Sequence, residues 1–269
     1  HCDHSDTMGG RDHSWVQLYS ERAQEVYENT FLALKIAEDI SLPVMVMQDG
    51  FKVSHGVENV SIFDDKDIRK YLGERSPDKW LLNVNDPVTM GPLQLTDYNF
   101  ETKYQQEEAI RKAFASFKKA GTELSKITGR RYPLFESYKT NDAEAIIVVL
   151  SSTAGTAKAV VDSMRKKGKK VGVLKPIMFR PFPYEEISKA LSRAKAVAVL
   201  DRSCSYGAYP PLFSEIMNSL YPLTKRPALQ SYVFGLGGRE IYESDIEEAF
   251  TRMLKKDTEK DIRFIGLRR

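Results

Sequence analysis

Cysteine is nearly missing from this chain: Cys2 and Cys204 are the only two in 269 residues. Two cysteines make no disulfide framework, and with no C-x-x-C this chain alone cannot ligate an iron–sulfur cluster through four thiolates. Such sparse usage points to a reducing, cytoplasmic setting. Long hydrophobic runs are lacking too. The longest, Ala145 to Leu150, is strand-length, far short of the roughly 20 residues that span a bilayer. No signal peptide and no internal repeat can be read, so no membrane partner is expected. Neither charge sign is in excess, since 40 basic and 37 acidic residues leave a net +3. A nucleic-acid partner, which would want a concentrated basic face, is therefore not expected. The one basic run, Arg165-Lys166-Lys167-Gly168-Lys169-Lys170, reads as a solvated helix end before a strand. A hydrophobic content of 42% is enough for a sizeable core in one or two domains. The chain opens at His1, not at Met, inside a loop-like segment, and reads as a fragment of a longer polypeptide.

Residues 1–18 are polar and Gly-bearing and read as loop. From Tyr19 to about Asp39, Ala23, Val26, Tyr27, Thr30, Leu34 and Ala37 recur at spacings of three and four, the period of a helix face. Leu42-Pro43 stops that helix, and Val44-Met45-Val46-Met47 reads as a short buried strand. A loop follows at its C-terminal end, where open α/β sheets bind ligands. Asp64 to Leu72 reads as another helix. Residues 74–100, rich in Pro, Asn and Asp, read as a linker or a long functional loop. Glu101 to about Thr128 reads as a long amphipathic helix with Ile110, Phe114, Phe117, Leu124 and Ile127 on its apolar side. After Gly129 come four β-branched apolar runs, "AEAIIVVLSS", "KKVGVLKP", "AKAVAVLD" and "QSYVFGLGG". Helical segments alternate with them, and "DIRFIGL" closes the chain as a fifth strand. Near-continuously apolar strands alternating with helices predict a mostly parallel sheet covered on both faces.

Three of the four histidines lie in the first thirteen residues. His1, Cys2, His4 and His13 are metal-ligand types, but their spacing fits no common zinc or iron pattern, so no metal site is expected there. Arg11 follows Gly9-Gly10 and precedes Trp15. An arginine on a Gly-rich loop suits either a bidentate grip on a carboxylate or phosphate, or a surface ion pair. Asp49-Gly50 fits a tight turn after a strand. Ser54 and His55 behind it either line a site or satisfy backbone groups. Cys204, in the loop after Asp201-Arg202-Ser203, either marks a strand-end site or sits in an interface loop; only Arg202 is near enough in sequence to activate it. "FGLGGRE" lacks the dinucleotide fingerprint, and its glycines read as a turn before the Glu243 helix.

Six segments in order carry a resemblance over essentially the whole chain: "CDHSDTMGGRDHSWVQLYSERAQEVYE", "LPVMVMQDGFKVSHGVENV", "ITGRRYPLFESY", "GVLKPIMFRPFP", "VLDRS" and "FGLGGREI". Together they resemble the α chain of the 2-oxoacid:ferredoxin oxidoreductases, most nearly those that act on pyruvate. The resemblance implies thiamine diphosphate with Mg²⁺, bound mainly by a partner subunit, and iron–sulfur clusters on partner subunits. It implies coenzyme A as co-substrate, ferredoxin as electron acceptor, and β, γ and δ-type subunits as partners. It further implies an α/β fold in which residues 1–100 are the back half of a thiamine-diphosphate pyrimidine-binding domain plus a linker. Residues 101–140 would be a connecting helix and loop, and 141–269 a domain like the C-terminal domain of transketolase. The family's Glu that contacts the cofactor's aminopyrimidine would lie ahead of residue 1. The opening loop resembles the family's D-H-x-D-x-x-x-x-R segment, here Asp3, His4, Asp6 and Arg11. That gives Arg11 the substrate carboxylate, and His4 and Asp6 the shaping of the loop. His1 and Cys2 are then structural. Where the family commonly continues Gln, Thr-Gly and an aromatic, this chain has Asp12-His13-Ser14-Trp15. Asp49, Ser54 and His55 resemble the family's DGF-x-x-(S/T)-H turn. The substrate is pyruvate or a branched-chain 2-oxoacid, unless the chain is a non-catalytic assembly module.

Overall fold

The computed structural model describes residues 2–74, 77 and 79–268. Alternation along single strands explains how the large sheet is buried on both sides. In β4 (Ala145–Val149), Ala145, Ile147 and Val149 face one core, while Ile146 and Val148 face the other. Because side chains alternate across a strand, an unbroken apolar run can feed two cores at once. One core lies under α5 (Thr153–Lys166) and α8 (Glu243–Leu254). The opposite core lies under α6 (Tyr184–Leu191) and α7 (Pro211–Leu220).

The sheet has six strands, ordered β3-β5-β4-β7-β8-β9. Its central members β5 (Val171–Pro176), β4, β7 (Ala196–Asp201) and β8 (Ala228–Val233) run parallel. The edge strand β3 (Phe135–Tyr138) is antiparallel to β5. At the other edge β9 is only Arg263–Phe264, so the expected seven-residue closing strand shrinks to two.

The first part of the chain builds a smaller sheet. β1 (Val16–Tyr19) pairs parallel with β2 (Val44–Met47), and antiparallel with β6 (Met178–Arg180). Helices α2 (Ala23–Ile40), α3 (Asp65–Leu72) and α4 (Thr96–Thr128) cover it. Their shared core joins Val16, Leu18, Leu32 and Ile36 to Ile110, Phe117 and Leu124. α3 starts as its sequence suggests, with the Asp64 carboxylate accepting the Lys66 N–H at 2.8 Å, an N-cap bond that satisfies one orphan donor. α4 has 33 residues, about 50 Å at 1.5 Å per residue. Its buried positions begin only at Ile110. Ahead of it, Leu82, Val84 and Leu93 are exposed, as is Phe100 within its first turns.

Three expectations need correction. Residues 1–18 are not all loop: they hold α1 (Ser5–Gly9) and β1. β1 escaped notice because it is four residues long and its second position is Gln17, a polar residue buried because it donates to the Thr7 carbonyl at 2.8 Å. β6 escaped because Pro176 and Pro181 flank it, and proline normally marks strand ends. The long helix begins at Thr96, one turn before Glu101. His1 lies outside the described residues.

Candidate functional site

β2, β4, β7 and β8 all present their C-terminal ends on one side, and the residues just beyond those ends converge. Asp49 follows β2, Ser151 and Ser152 follow β4, Arg202 follows β7, and the turn Gly235–Gly238 follows β8. In α/β sheets this is the ligand-binding side. A cleft of about 270 Å³ opens there, lined by Glu21, Arg22, Lys52, Ser152, Arg202 and Arg239 among others.

The Asp49 carboxylate is the hub. It is buried, yet it is fully served by donors. Its Oδ1 lies 2.7 Å from His4 Nε2. Its Oδ2 accepts the Ser152 backbone N–H at 2.9 Å and the Ser152 hydroxyl, and sits 3.3 Å from the Arg202 guanidinium. Burial alone would raise its pKa. The bonds from His4 and Ser152 and the Arg202 charge outweigh that and hold it at about 2, so it is ionised at any working pH.

The opening loop is sewn to the large sheet at two further points. The His4 N–H donates to the Arg202 carbonyl at 2.9 Å. The Asp3 carboxylate accepts the Gly237 N–H at 2.7 Å; burial works against its ionisation, but this bond and those from Ser5 prevail and hold it below the ordinary carboxylate value. Cys2 is wedged between two glycines. A Cβ on Gly50 would stand 3.3 Å from the Cys2 sulfur, and one on Gly238, where φ is +87°, would stand 3.2 Å from the Cys2 Cβ. Gly238→Ala combines a left-handed backbone with that contact. It should cost about 1–3 kcal/mol of stability, read as a shift in denaturation midpoint; an unchanged midpoint would show that the loop does not need this close approach.

Not every residue singled out from the sequence joins the hub. Arg11 lies at the end of the loop beyond α1, partly exposed. Its guanidinium donates to the Met8 carbonyl at 3.1 Å and lies 3.6 Å from Asp12. Its own carbonyl accepts from Arg180 at 3.0 Å, and Arg180 also grips buried Glu215 at 2.7 Å. Asp6 is exposed and accepts the Thr7 N–H at 2.6 Å. Ser54 and His55 are exposed: the Ser54 hydroxyl accepts the Phe51 N–H at 3.0 Å and lies 2.8 Å from His55 Nδ1, whose ring stacks on Phe51. Thus His4 and Asp49 come together, and Arg11, Asp6, Ser54 and His55 stand outside their cluster. The sequence reading passed over Ser152, and weighed Arg202 only as a neighbour of Cys204. Their signal was position, one at the end of each of two buried parallel strands.

A second cluster, partly buried and centred on a buried lysine, joins the two sheets. Lys175, only 1% exposed, lies 2.7 Å from Glu21, 2.8 Å from Glu25 and 3.1 Å from Glu136. Lys158 adds 2.8 Å contacts to Glu21 and Glu136. The three glutamates are the one group of acid, His or Cys side chains among the described residues spaced to hold a cation. Two ammonium groups already occupy that space, so the donor set does not fit Mg²⁺. Among the described residues no helix is long and apolar enough to cross a membrane.

Comparison with known proteins places this architecture. The model described as pyruvate flavodoxin/ferredoxin oxidoreductase, thiamine diphosphate-binding, matches residues 1–121, and that of pyruvate:ferredoxin oxidoreductase core domain II matches residues 143–246. Pyruvate synthase subunit PorA of Thermotoga maritima is 46% identical, over 100% of this chain and 69% of its own length. PorA of Pyrococcus abyssi is 37% identical over 99% of this chain and 69% of its length. Ketoisovalerate oxidoreductase subunit VorA of Pyrococcus horikoshii is 34% identical over the same shares. Among solved structures, a 2-oxoglutarate:ferredoxin oxidoreductase from Magnetococcus marinus, with 2-oxoglutarate, coenzyme A and succinyl-CoA bound, superposes with a TM-score of 0.56 at 14% identity. It covers 94% of this chain and 45% of that one, a likeness of fold.

Proposed function

The chain belongs to the pyruvate:ferredoxin oxidoreductase α-subunit family, and on that premise we propose that it serves in the oxidative decarboxylation of pyruvate to acetyl-CoA and CO₂, with electrons passed to ferredoxin. The observation that carries the choice of pyruvate is the 46% identity to a pyruvate synthase subunit along the full chain, against 34% to a ketoisovalerate oxidoreductase subunit. The second reading, a branched-chain 2-oxoacid, rests on that latter relative.

Thiamine diphosphate supplies the electron sink for loss of CO₂. Its diphosphate and Mg²⁺ are assigned to a partner subunit, in keeping with a carboxylate cluster here that is filled by lysines. The iron–sulfur clusters are likewise assigned to partner subunits, in keeping with two unpaired cysteines. β, γ and δ-type subunits, ferredoxin, coenzyme A and a cytoplasmic location complete the reading.

Within this chain Arg11 takes the substrate carboxylate. A planar guanidinium offers a carboxylate two parallel N–H bonds and so fixes its orientation. Two features support the assignment. The side chain is partly open to solvent, and the loop backbone beneath it is pinned by Arg180. In the assembled complex, Arg11→Ala should lower kcat/KM for pyruvate at least about tenfold, or roughly 1.4 kcal/mol, and leave thiamine diphosphate affinity unchanged. Viologen reduction with pyruvate, a branched-chain 2-oxoacid and 2-oxoglutarate, with and without coenzyme A, tests both readings. Coenzyme-A-dependent reduction favouring pyruvate is expected. Preference for another oxoacid replaces the substrate. No reduction by a complex with intact clusters and cofactor leaves an assembly module.

A further inference from the structure

We propose that Asp49 and Arg202 are positioning residues for the substrate loop, acting through His4, so that the large sheet sets where the carboxylate-binding arginine stands. This rests on the assignment of Arg11 to the substrate carboxylate. The loop from Cys2 to Arg11 has one short helix, α1, and its buried residues are His4 and Met8. Met8 belongs to the core under α6 and α7, and its carbonyl receives the Arg11 guanidinium. His4 is the other anchor. Its ring nitrogen meets Asp49, its N–H meets the Arg202 carbonyl, its carbonyl accepts the Met8 N–H at 2.9 Å, and its ring lies 5.1 Å from that of buried Tyr19.

Asp49 is a better anchor than a neutral acceptor would be. It is ionised, and beside it the facing His4 nitrogen is a donor, making a charge-assisted bond. The carboxylate is itself held from the opposite side by Ser152 and Arg202, which belong to different strand ends. Rotating or shifting His4 therefore means breaking bonds to two separate elements. The geometry is that of a loop whose position is dictated by a supporting shell, the arrangement a site needs when an error of about 1 Å costs rate.

The test uses the assembled complex, with pyruvate varied at saturating coenzyme A and thiamine diphosphate. His4→Ala and Asp49→Asn should each raise KM for pyruvate about tenfold while kcat falls less than about threefold, with KM for coenzyme A unmoved. His4→Gln, which keeps an N–H donor at a similar reach, should recover most of the loss. A role confined to stability would lower the denaturation midpoint and leave the KM for pyruvate where it was, and that outcome overturns the proposal. Should Asp49→Asn fail to assemble, the His4 pair decides alone: equal KM values for His4→Ala, His4→Gln and the parent protein overturn it. Arg11→Ala, measured alongside, keeps the two ideas apart. If Arg11→Ala loses activity and the His4 variants do not, positioning through His4 is wrong; if Arg11→Ala loses nothing, the parent assignment is wrong.

Discussion

Lys175→Met should destabilise the protein by about 2–3 kcal/mol, less than the loss of a partner costs in a fully buried pair, because the three carboxylates are only partly buried and Lys158 stays beside two of them. In a chain of this size that is on the order of 10 °C in Tm. Methionine keeps most of the side-chain volume, so the loss is electrostatic rather than a cavity. Lys175 is buried between Glu21, Glu25 and Glu136. Burial opposes its charge, but the glutamates prevail and hold its pKa above the ordinary lysine value. Lys175 therefore keeps its charge at all pH values below the lysine range. For Glu136, burial works against ionisation and the two lysines overcome it, so its pKa lies below 4.5. The stability Glu136 lends is present above about pH 4.5 and lost as pH falls through its lowered value. Without Lys175, three carboxylates face one another around Lys158 alone, and protonation relieves them. The deficit of Lys175→Met should therefore shrink between pH 7 and pH 5. Glu25→Gln in the same background should restore part of the Tm at pH 7. A deficit that stays constant with pH would mean the loss is one of packing, and the charge argument would fail.

The second large effect concerns Asp201. Its carboxyl closes β7 and accepts the N–H groups of Leu212 at 2.8 Å and Phe213 at 3.0 Å, at the start of α7. Complete burial pushes its pKa up to about 7 in spite of those two bonds, from an ordinary 3.8. A raised folded-state pKa makes stability highest where the group is protonated in both states, below about pH 4. That stability drains away as pH rises through about 7. Three pH units correspond to about 4 kcal/mol. Asp201→Asn cannot titrate, so the stability of the parent protein minus that of the variant should fall by a few kcal/mol between pH 4 and pH 7. Taking the difference cancels every other titrating group. A flat difference across that range would show that the carboxyl is ionised throughout and that the two N–H donors dominate its burial.

How much of this was legible beforehand depended on the kind of signal. β4 and β7, six apolar residues or nearly so in a row, could be read directly, because a two-faced burial leaves an unmistakable run. β1 could not, because a buried glutamine breaks the run and its hydrogen bond to Thr7 exists only once α1 has folded back. Asp49 was visible as a turn residue. Ser152 and Arg202 were not visible as its partners, because they lie 103 and 153 residues further on, at strand ends of the other sheet, and only the packing of the two sheets against each other brings them to it. The Lys175 cluster was hidden for the same reason, and more deeply: a lysine inside "GVLKPIMF" looks like an interruption of a strand, and nothing local names its three acidic partners.

β6 leaves the large sheet's own stretch of sequence and hydrogen-bonds to β1, with Met178 in the small sheet's core and Phe179 in the large one's. A gene boundary drawn between the halves would therefore tear a strand from one sheet however carefully the linker was chosen. Shuffling this chain onto another scaffold must carry both sheets as a single heritable block, and a cut within the strandless segment at 79–95 is gentler than any fission near residue 140.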